Sequence, residues 1–492
     1  MGDRLPTSAF TSQDRQRYRY KVRRCLGVLE RMLAEGRFET GRKTMGIELE
    51  LVLADQDENL ANVNSEVLTR IASTDFQTEL GQFNLEVNIA PHTLGGVVFS
   101  ELEEELTTSI GYADHKAQEV GAHVAIIGIM PTFGDHDVAL CALSNNPRYA
   151  ALNEQIVLAR GEDLAVAIDG VEHLACETSS IIFEAAGTSI QFHLQVSPDG
   201  FPMAWNAAQT IAGVQLALGA NSPFFLGREL WRETRAILFE QATDTRSEEL
   251  VAQGVRPRVF FGERWINSPV ELIHENVRYF SALLPYCDDE DPVEVLEHGE
   301  IPHLSELRLH NGTVWRWNRP VYDVQRGKPH LRIENRVLPA GPTVADMLAN
   351  AALYYGLVRV LSEQERPIWR RMTFSAAREN FYAGARYGID AKQFWPGLGT
   401  VAVSDLVLRR LLPLAYDGLD LWKIEPAERD RLLGIIEQRC LRRTNGADWQ
   451  ARAFHRLYDE RGYDRLTALR ELTRRYMECM RTGEPVHTWP LP

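Results

Sequence analysis

Gly46-Ile47-Glu48-Leu49-Glu50-Leu51 sets two carboxylates two residues apart among apolar neighbours. In an extended strand, residues i and i+2 share a face, so Glu48 and Glu50 point one way while Ile47, Leu49 and Leu51 point the other. Two like charges side by side are unfavourable unless something positive lies between or above them. A hard divalent cation, which takes carboxylate oxygens, is one answer. A half-buried strand with a wet acidic face is the bland alternative.

Three further stretches alternate in the same way. From Gln82 to Ile89, Phe83, Leu85, Val87 and Ile89 oppose Gln82, Asn84, Glu86 and Asn88; Glu79 lies seven residues before Glu86, and Pro91 is expected to close the strand. In Thr188–Val196, Ile190, Phe192, Leu194 and Val196 oppose Gln191, His193 and Gln195. A lone histidine on a strand is usually structural, but His193 sits in the middle of an unbroken polar row. In Leu331–Val337, Arg332, Glu334 and Arg336 share one face. That row suits phosphate and metal together, although a cross-strand ion-pair ladder reads identically.

Gathered on one antiparallel sheet, these faces line a single surface with five carboxylates (Glu48, Glu50, Glu79, Glu86, Glu334), one imidazole and two guanidiniums. The set lacks a nucleophile. No Ser/His/Asp order or G-x-S-x-G elbow stands out, and no G-x-G-x-x-G or P-loop is present. It suits several Mg²⁺ ions around a triphosphate, with arginine to stabilise a phosphoryl group in transit.

The whole composition is that of an ordinary globular protein: 45% apolar and 25% charged over 492 residues. A net charge of −15, from 68 acidic against 53 basic side chains, argues against a general nucleic-acid or anionic-membrane surface. Six scattered cysteines (Cys25, Cys141, Cys176, Cys287, Cys440, Cys479) form no C-x-x-C pair, so a reducing cytoplasm fits best. The N-terminus lacks a leader's basic-then-apolar profile, and no run approaches a membrane span.

Around the four strands, residues 1–11 read as disordered and about 12–38 as a helix whose basic first half is expected to face solvent. Helices are expected at 100–121 and 203–220, a short strand at 124–130, and a solvated acidic loop at 288–291. Gly312–Asp323 is a Trp/Arg-rich segment. Beyond Thr343 the alternation stops and helical spacing dominates. The organisation read from this is an N-terminal helical extension (1–40), an α+β catalytic domain (41–342) and a helical C-terminal portion (343–492).

Gly46-Ile47-Glu48-Leu49-Glu50, Glu79 with Glu86, Thr188-Ser-Ile-Gln-Phe-His193, Asn221-Ser-Pro-Phe-Phe, Thr313-Val-Trp315 with Arg319-Pro, Arg332-Ile-Glu334-Asn-Arg336, and Glu379-Asn380 with Ala385-Arg386-Tyr387-Gly388 occur in that order. Together they resemble the glutamate–cysteine ligase and carboxylate–amine ligase superfamily, with a glutamine-synthetase-like catalytic fold. The resemblance implies a curved antiparallel sheet forming a funnel-shaped active site flanked by helices. It implies Mg²⁺ (or Mn²⁺) held by Glu48, Glu50, Glu79, Glu86, His193 and Glu334. It places Arg336 on the transferring phosphate, with Glu50 and Arg332 also catalytic, and Gln191 and Arg319 near nucleotide or substrate. The implied reaction joins a carboxylate, in the family the γ-carboxylate of glutamate, to an amine such as cysteine, through an acyl phosphate formed from ATP. The partners would be small molecules, with an oligomer compatible. A phosphotransferase on the same fold, or a non-catalytic nucleotide or metabolite sensor, would use the same residues.

Overall fold

A computed structural model describes residues 10–138 and 142–492. The expected disorder at the extreme N-terminus and Cys141 lie largely or wholly outside them. Seven antiparallel strands form one curled sheet: β1 (Thr44–Ala54), β2 (Phe76–Thr78), β3 (Asn84–Thr93), β4 (His123–Ala125), β5 (Ile190–Val196), β6 (Asn318–Gln325) and β7 (Lys328–Asn335). Their order is β6-β7-β5-β1-β3-β2, with β4 also paired to β1. The strand carrying Glu48 and Glu50 is thus near the centre, flanked by the strands of Glu86 and His193.

Register follows from burial. A slip of one residue would turn every apolar side chain to the wrong face. In the observed pairing Glu50 stands opposite Glu86, Glu48 between Asn88 and Gln191, and His193 between Gly46 and Glu334. Ile47, Leu49, Leu51, Phe192, Leu194, Leu331 and Ile333 fill the other face and are all essentially buried. Helix α4 (Val344–Ser362) covers that face: Phe192 packs against Tyr354 and Tyr355 at 6.1 and 6.0 Å between ring centroids. The Tyr355 hydroxyl donates to the His193 carbonyl (2.9 Å), which pins the backbone beneath the imidazole. This helix is long and apolar enough to cross a membrane, yet 83% of its apolar window is buried inside the protein, as befits a core helix.

Three other helices matter for the frame. α1 (Ser12–Ala34) begins with a reciprocal capping box between Thr11 and Asp14. α2 (Val98–Gln118) follows β3, and α3 (Phe201–Gly219) is buried along almost its whole length. α5 (Phe374–Tyr387) crosses α3 closely, where Gly213 and Gly384 leave no side chain between the backbones. Arg439 and Asp346 form a fully buried pair at 2.9 Å, with Arg439 also donating to the Leu218 carbonyl and the Asn350 side chain. One bond set thereby ties α3, α4 and the C-terminal helices.

The structure departs from the sequence expectations at several places. β3 continues through Pro91 to Thr93, because a bulge opposite Met45–Ile47 absorbs the missing donor. Glu79 is on no strand; it follows β2 in the turn before β3. β6, the sheet's edge, begins within the Trp/Arg segment and runs two residues past it, and Pro320 is tolerated there. The expected strand at 124–130 is limited to His123–Ala125, and the helical C-terminal portion includes a two-stranded ribbon, Lys392–Trp395 with Gly399–Ala402. The basic helix also touches the acidic loop, where Arg24 donates to both oxygens of Asp291 (2.7 Å each) and Lys21 donates to the Glu290 carbonyl (3.1 Å), while Arg17, Arg19, Arg23, Asp288 and Asp289 are exposed as expected.

A Cβ on Gly213 would lie 2.5 Å from the Asn380 carbonyl carbon and oxygen. Gly213→Ala is therefore expected to lower the urea midpoint, costing about 1–3 kcal/mol through overpacking. An unchanged midpoint would show that the α3–α5 crossing is not close-packed.

Candidate active site

All ten residues singled out from the sequence lie on or beside the polar face of the sheet, and they fall into two chemically different halves. In the first, ligand oxygens of Glu50, Glu79 and Glu86 all lie within 4.8 Å of one another. Glu50 is 9% and Glu86 3% exposed. Neighbouring donors hold them: the Ser189 N–H (2.6 Å) and Gln191 Nε2 (3.1 Å) to Glu50, and Asn88 Nδ2 (2.8 Å) to Glu86. No arginine or lysine forms an ion pair with these three among the described residues. Burial, then the charge of Glu79, pushes the Glu50 carboxyl up to about 7; burial with Glu79 and Glu48 drives Glu86 well above the carboxylate range. Glu79 reaches this cluster from its turn, whose backbone carbonyl accepts from the Ser144 hydroxyl.

The second half is rich in guanidinium. Glu334, 1% exposed, has both oxygens engaged: Arg319 donates to Oε2 through Nε and a terminal nitrogen (3.1 and 2.7 Å), and Arg336 donates to Oε1 (2.7 Å). Burial would raise Glu334, but Arg319 and Arg336 outweigh it and hold the carboxyl far below its usual range. Arg336 also donates to Gln191 Oε1 at 2.8 Å, so Gln191 bridges the halves through its two amide ends. The buried Nε of Arg336 has no hydrogen-bond partner.

His193 lies between the two. Its Nε2 is 3.2 Å from Glu48 Oε1 but off the hydrogen-bonding direction, and so is buried without a partner. Burial works against the Glu48 charge, yet the neighbouring imidazole keeps that carboxyl well below its ordinary value. Arg332 donates from Nε to His193 Nδ1 (3.0 Å) and from a terminal nitrogen to Asp323 (2.9 Å). With Nδ1 accepting, a neutral ring carries its proton on Nε2. For Nε2 to bind a cation the proton must move to Nδ1, and Arg332 must swing away from the ring. Gly46, opposite His193, makes that row roomy: a Cβ there would sit 3.7 Å from the His193 Cβ.

The residues present fit a hard divalent cation. Three clustered carboxylates, two of them buried against their own charge, form an all-oxygen donor set, and an orphaned imidazole nitrogen lies beside a fourth carboxylate. Glu48, Glu50, Glu79 and Glu86 can approach an ion as they stand, and His193 can once its proton and Arg332 have moved. Glu334 is committed to two arginines. Sequence reasoning missed Glu184, Arg235 and the Ser189 N–H, which line a small cavity together with Glu50 and Arg336. Burial, then Glu79 and Glu50, pushes Glu184 up to about 8. It sits in the short helix Ile182–Ala185, where no alternation marks a face.

Similar architecture is found in solved ligases. A glutamate–cysteine ligase from Francisella tularensis in complex with AMP aligns with a TM-score of 0.55 at 13% identity, over 93% of this chain and 91% of that one. A bifunctional glutathione synthetase from Pasteurella multocida aligns with a TM-score of 0.53 at 11% identity, over 89% of this chain; the match spans 53% of that longer chain. At such identities the likeness defines a fold class, the curled antiparallel sheet of these ligases. Residues 44–460 match the model of glutamate-cysteine ligase family 2, and the chain belongs to that family. No curated protein sequence matches it.

A carboxyl whose pKa is raised on folding binds its proton more tightly in the native state, so native stability falls as pH climbs between 4.5 and about 7. In metal-free buffer Glu50→Gln removes that cost. The variant is expected to gain on the wild type, on the order of 1 kcal/mol, between about pH 5 and pH 8. Thermal melts showing the same difference at both pH values would refute the charge conflict.

Proposed function

We propose that this protein is an ATP- and Mg²⁺-dependent carboxylate–amine ligase that activates a carboxylate, glutamate's γ-carboxylate foremost, as an acyl phosphate and transfers it to an amine. Family membership over residues 44–460 supports acid–amine ligation, and AMP in the Francisella tularensis ligase accords with nucleotide use on this fold. The observation that carries the reading is the division of one buried floor into a bare carboxylate half and an arginine half. Mg²⁺, when bound, supplies the positive charge against which the phosphates of ATP rest.

The chain's own groups then have distinct tasks. Glu50, Glu79 and Glu86 would hold one cation; Glu48 and His193, with Glu334 if its arginines release it, would hold others. Arg336 is fixed by Glu334 and Gln191 before any substrate arrives, and it keeps a spare Nε–H donor. A preorganised guanidinium is suited to charge developing on a phosphoryl group, because it needs no reorientation during the reaction. Arg319 shares Glu334 with Arg336 and so fixes the fork from the other side. Arg332 governs which nitrogen of His193 is free. No side chain needs to form a covalent bond with substrate, in keeping with the absence of an activated nucleophile.

Incubation with MgATP, glutamate and a panel of amines, cysteine first, is expected to release ADP and phosphate and to give an amide product. Glu50→Gln should abolish turnover. If no carboxylate and amine pair supports turnover, the ligase reading fails; a stable phosphorylated product would mark a phosphotransferase instead. Arg336→Ala is expected to lower kcat by about 10²- to 10³-fold, the cost of losing one preorganised charge donor. MgATP at saturation is expected to raise the melting temperature by mass action on the native state; no shift would count against a nucleotide site.

A further inference from the structure

At the Thr44 end of the sheet lies a cavity of about 760 Å³, within the range of small-molecule sites. Arg42, Lys43, Arg326, Arg359 and Lys423 line it, and no aspartate or glutamate does. Five convergent cations are unexpected in a chain of net charge −15. Two have partners outside the cavity: Arg42 lies 3.3 Å from Glu39, and Arg359 lies 2.7 Å from Glu363. Lys43, Arg326 and Lys423 form no ion pair or side-chain hydrogen bond among the described residues. The buried Nε of Arg359 also lacks a partner. Lys43 and Arg359 both sit over the Trp422 indole, at 5.4 and 4.6 Å from its centroid, which spaces them around one wall.

We propose that this cavity is an anion site that takes a small molecule bearing two or more phosphate groups. Uncompensated cations in one concavity repel each other and focus a positive potential into it; a multivalent anion relieves the first and is drawn by the second. Guanidiniums on two separate walls, one from the β6–β7 turn and one from α4, suit phosphate oxygens presented in more than one direction. The cavity is separate from the carboxylate floor yet linked to it. Thr44 lies on its rim and donates to Gln195 (2.8 Å), which stands opposite Arg332. Thr44 is four residues from Glu48 on the same face, about 13 Å along the strand at the usual rise. The phosphates could therefore belong to the nucleotide reaching out from the floor, or to a second phosphorylated metabolite.

Calorimetric titration of the full chain with pyrophosphate in chelator, with no divalent metal, tests the site without requiring turnover, so its outcome is independent of the ligase reading. Saturable binding is expected, weakened at least tenfold by Lys43→Glu with Lys423→Glu and by raised salt, and retained by Glu50→Gln. Both lysines are exposed; should the double reversal fail to fold, Lys43→Ala with Lys423→Ala, expected to weaken binding several-fold, replaces it. No saturable binding at millimolar pyrophosphate, or an unchanged Kd in the folded lysine variant, overturns the site. With the site present, repeating the titration with MgATP bound distinguishes the sources. Loss of pyrophosphate binding assigns the cavity to the nucleotide's own phosphates, and unchanged binding assigns it to a separate phosphorylated ligand.

Discussion

Glu50 and Glu86 face each other across two hydrogen-bonded strands, with Glu79 brought in from a turn, and none of the three is paired with a cationic side chain among the described residues. Removing such groups from water costs several kcal/mol each unless an opposite charge compensates. The sheet supplies only hydrogen-bond donors here: one backbone N–H and two side-chain amides. Everything around the cluster is built to keep it in place despite that conflict. The register is locked by a wholly apolar opposite face, and α4 is clamped beneath it.

The other half of the floor is settled. Glu334 is over-supplied with donors, the reverse of Glu50's condition. Gln191 touches both conditions, accepting from Arg336 with one end of its amide and donating to Glu50 with the other. The floor is thus a dipolar surface, electron-rich at one side and electron-poor at the other, with a neutral amide at the seam. Its two sides offer complementary places to a cation and to an anionic group.

Much of this was legible because alternation carries it. Glu48, Glu50, Glu86, Gln191, His193, Arg332 and Glu334 sit where period-two spacing puts them, since each strand has one face that must be apolar. Glu79 belongs to the cluster but not to a strand, so its distance from Glu86 was informative only through the family resemblance. β6 went unread because Trp315, Arg316, Trp317 and Arg319 blur the pattern: Arg316 is buried against Glu275, inverting the usual polar-out rule. Glu184 and Arg235 come from short helical segments, where no periodicity of polar residues marks the side that meets the floor. The pairing of α1 with the acidic loop joins residues some 270 positions apart, beyond the reach of any local signal.

One row across the sheet runs Arg319, Glu334, His193, Gly46. Its members are drawn from distant parts of the sequence, His193 lying 147 positions after Gly46 and Glu334 a further 141. Closing such long loops must precede any gain from the contacts they permit, and chains dominated by distant pairings fold slowly. This row is accordingly absent from any fragment of a few dozen residues, and a nascent chain has no such row until β7 has been made, whereas Glu50, Glu79 and Glu86 all come from the stretch around β1 to β3. The joining of the two halves through Gln191, which touches Glu50 and Arg336 at once, is therefore a report on completed folding.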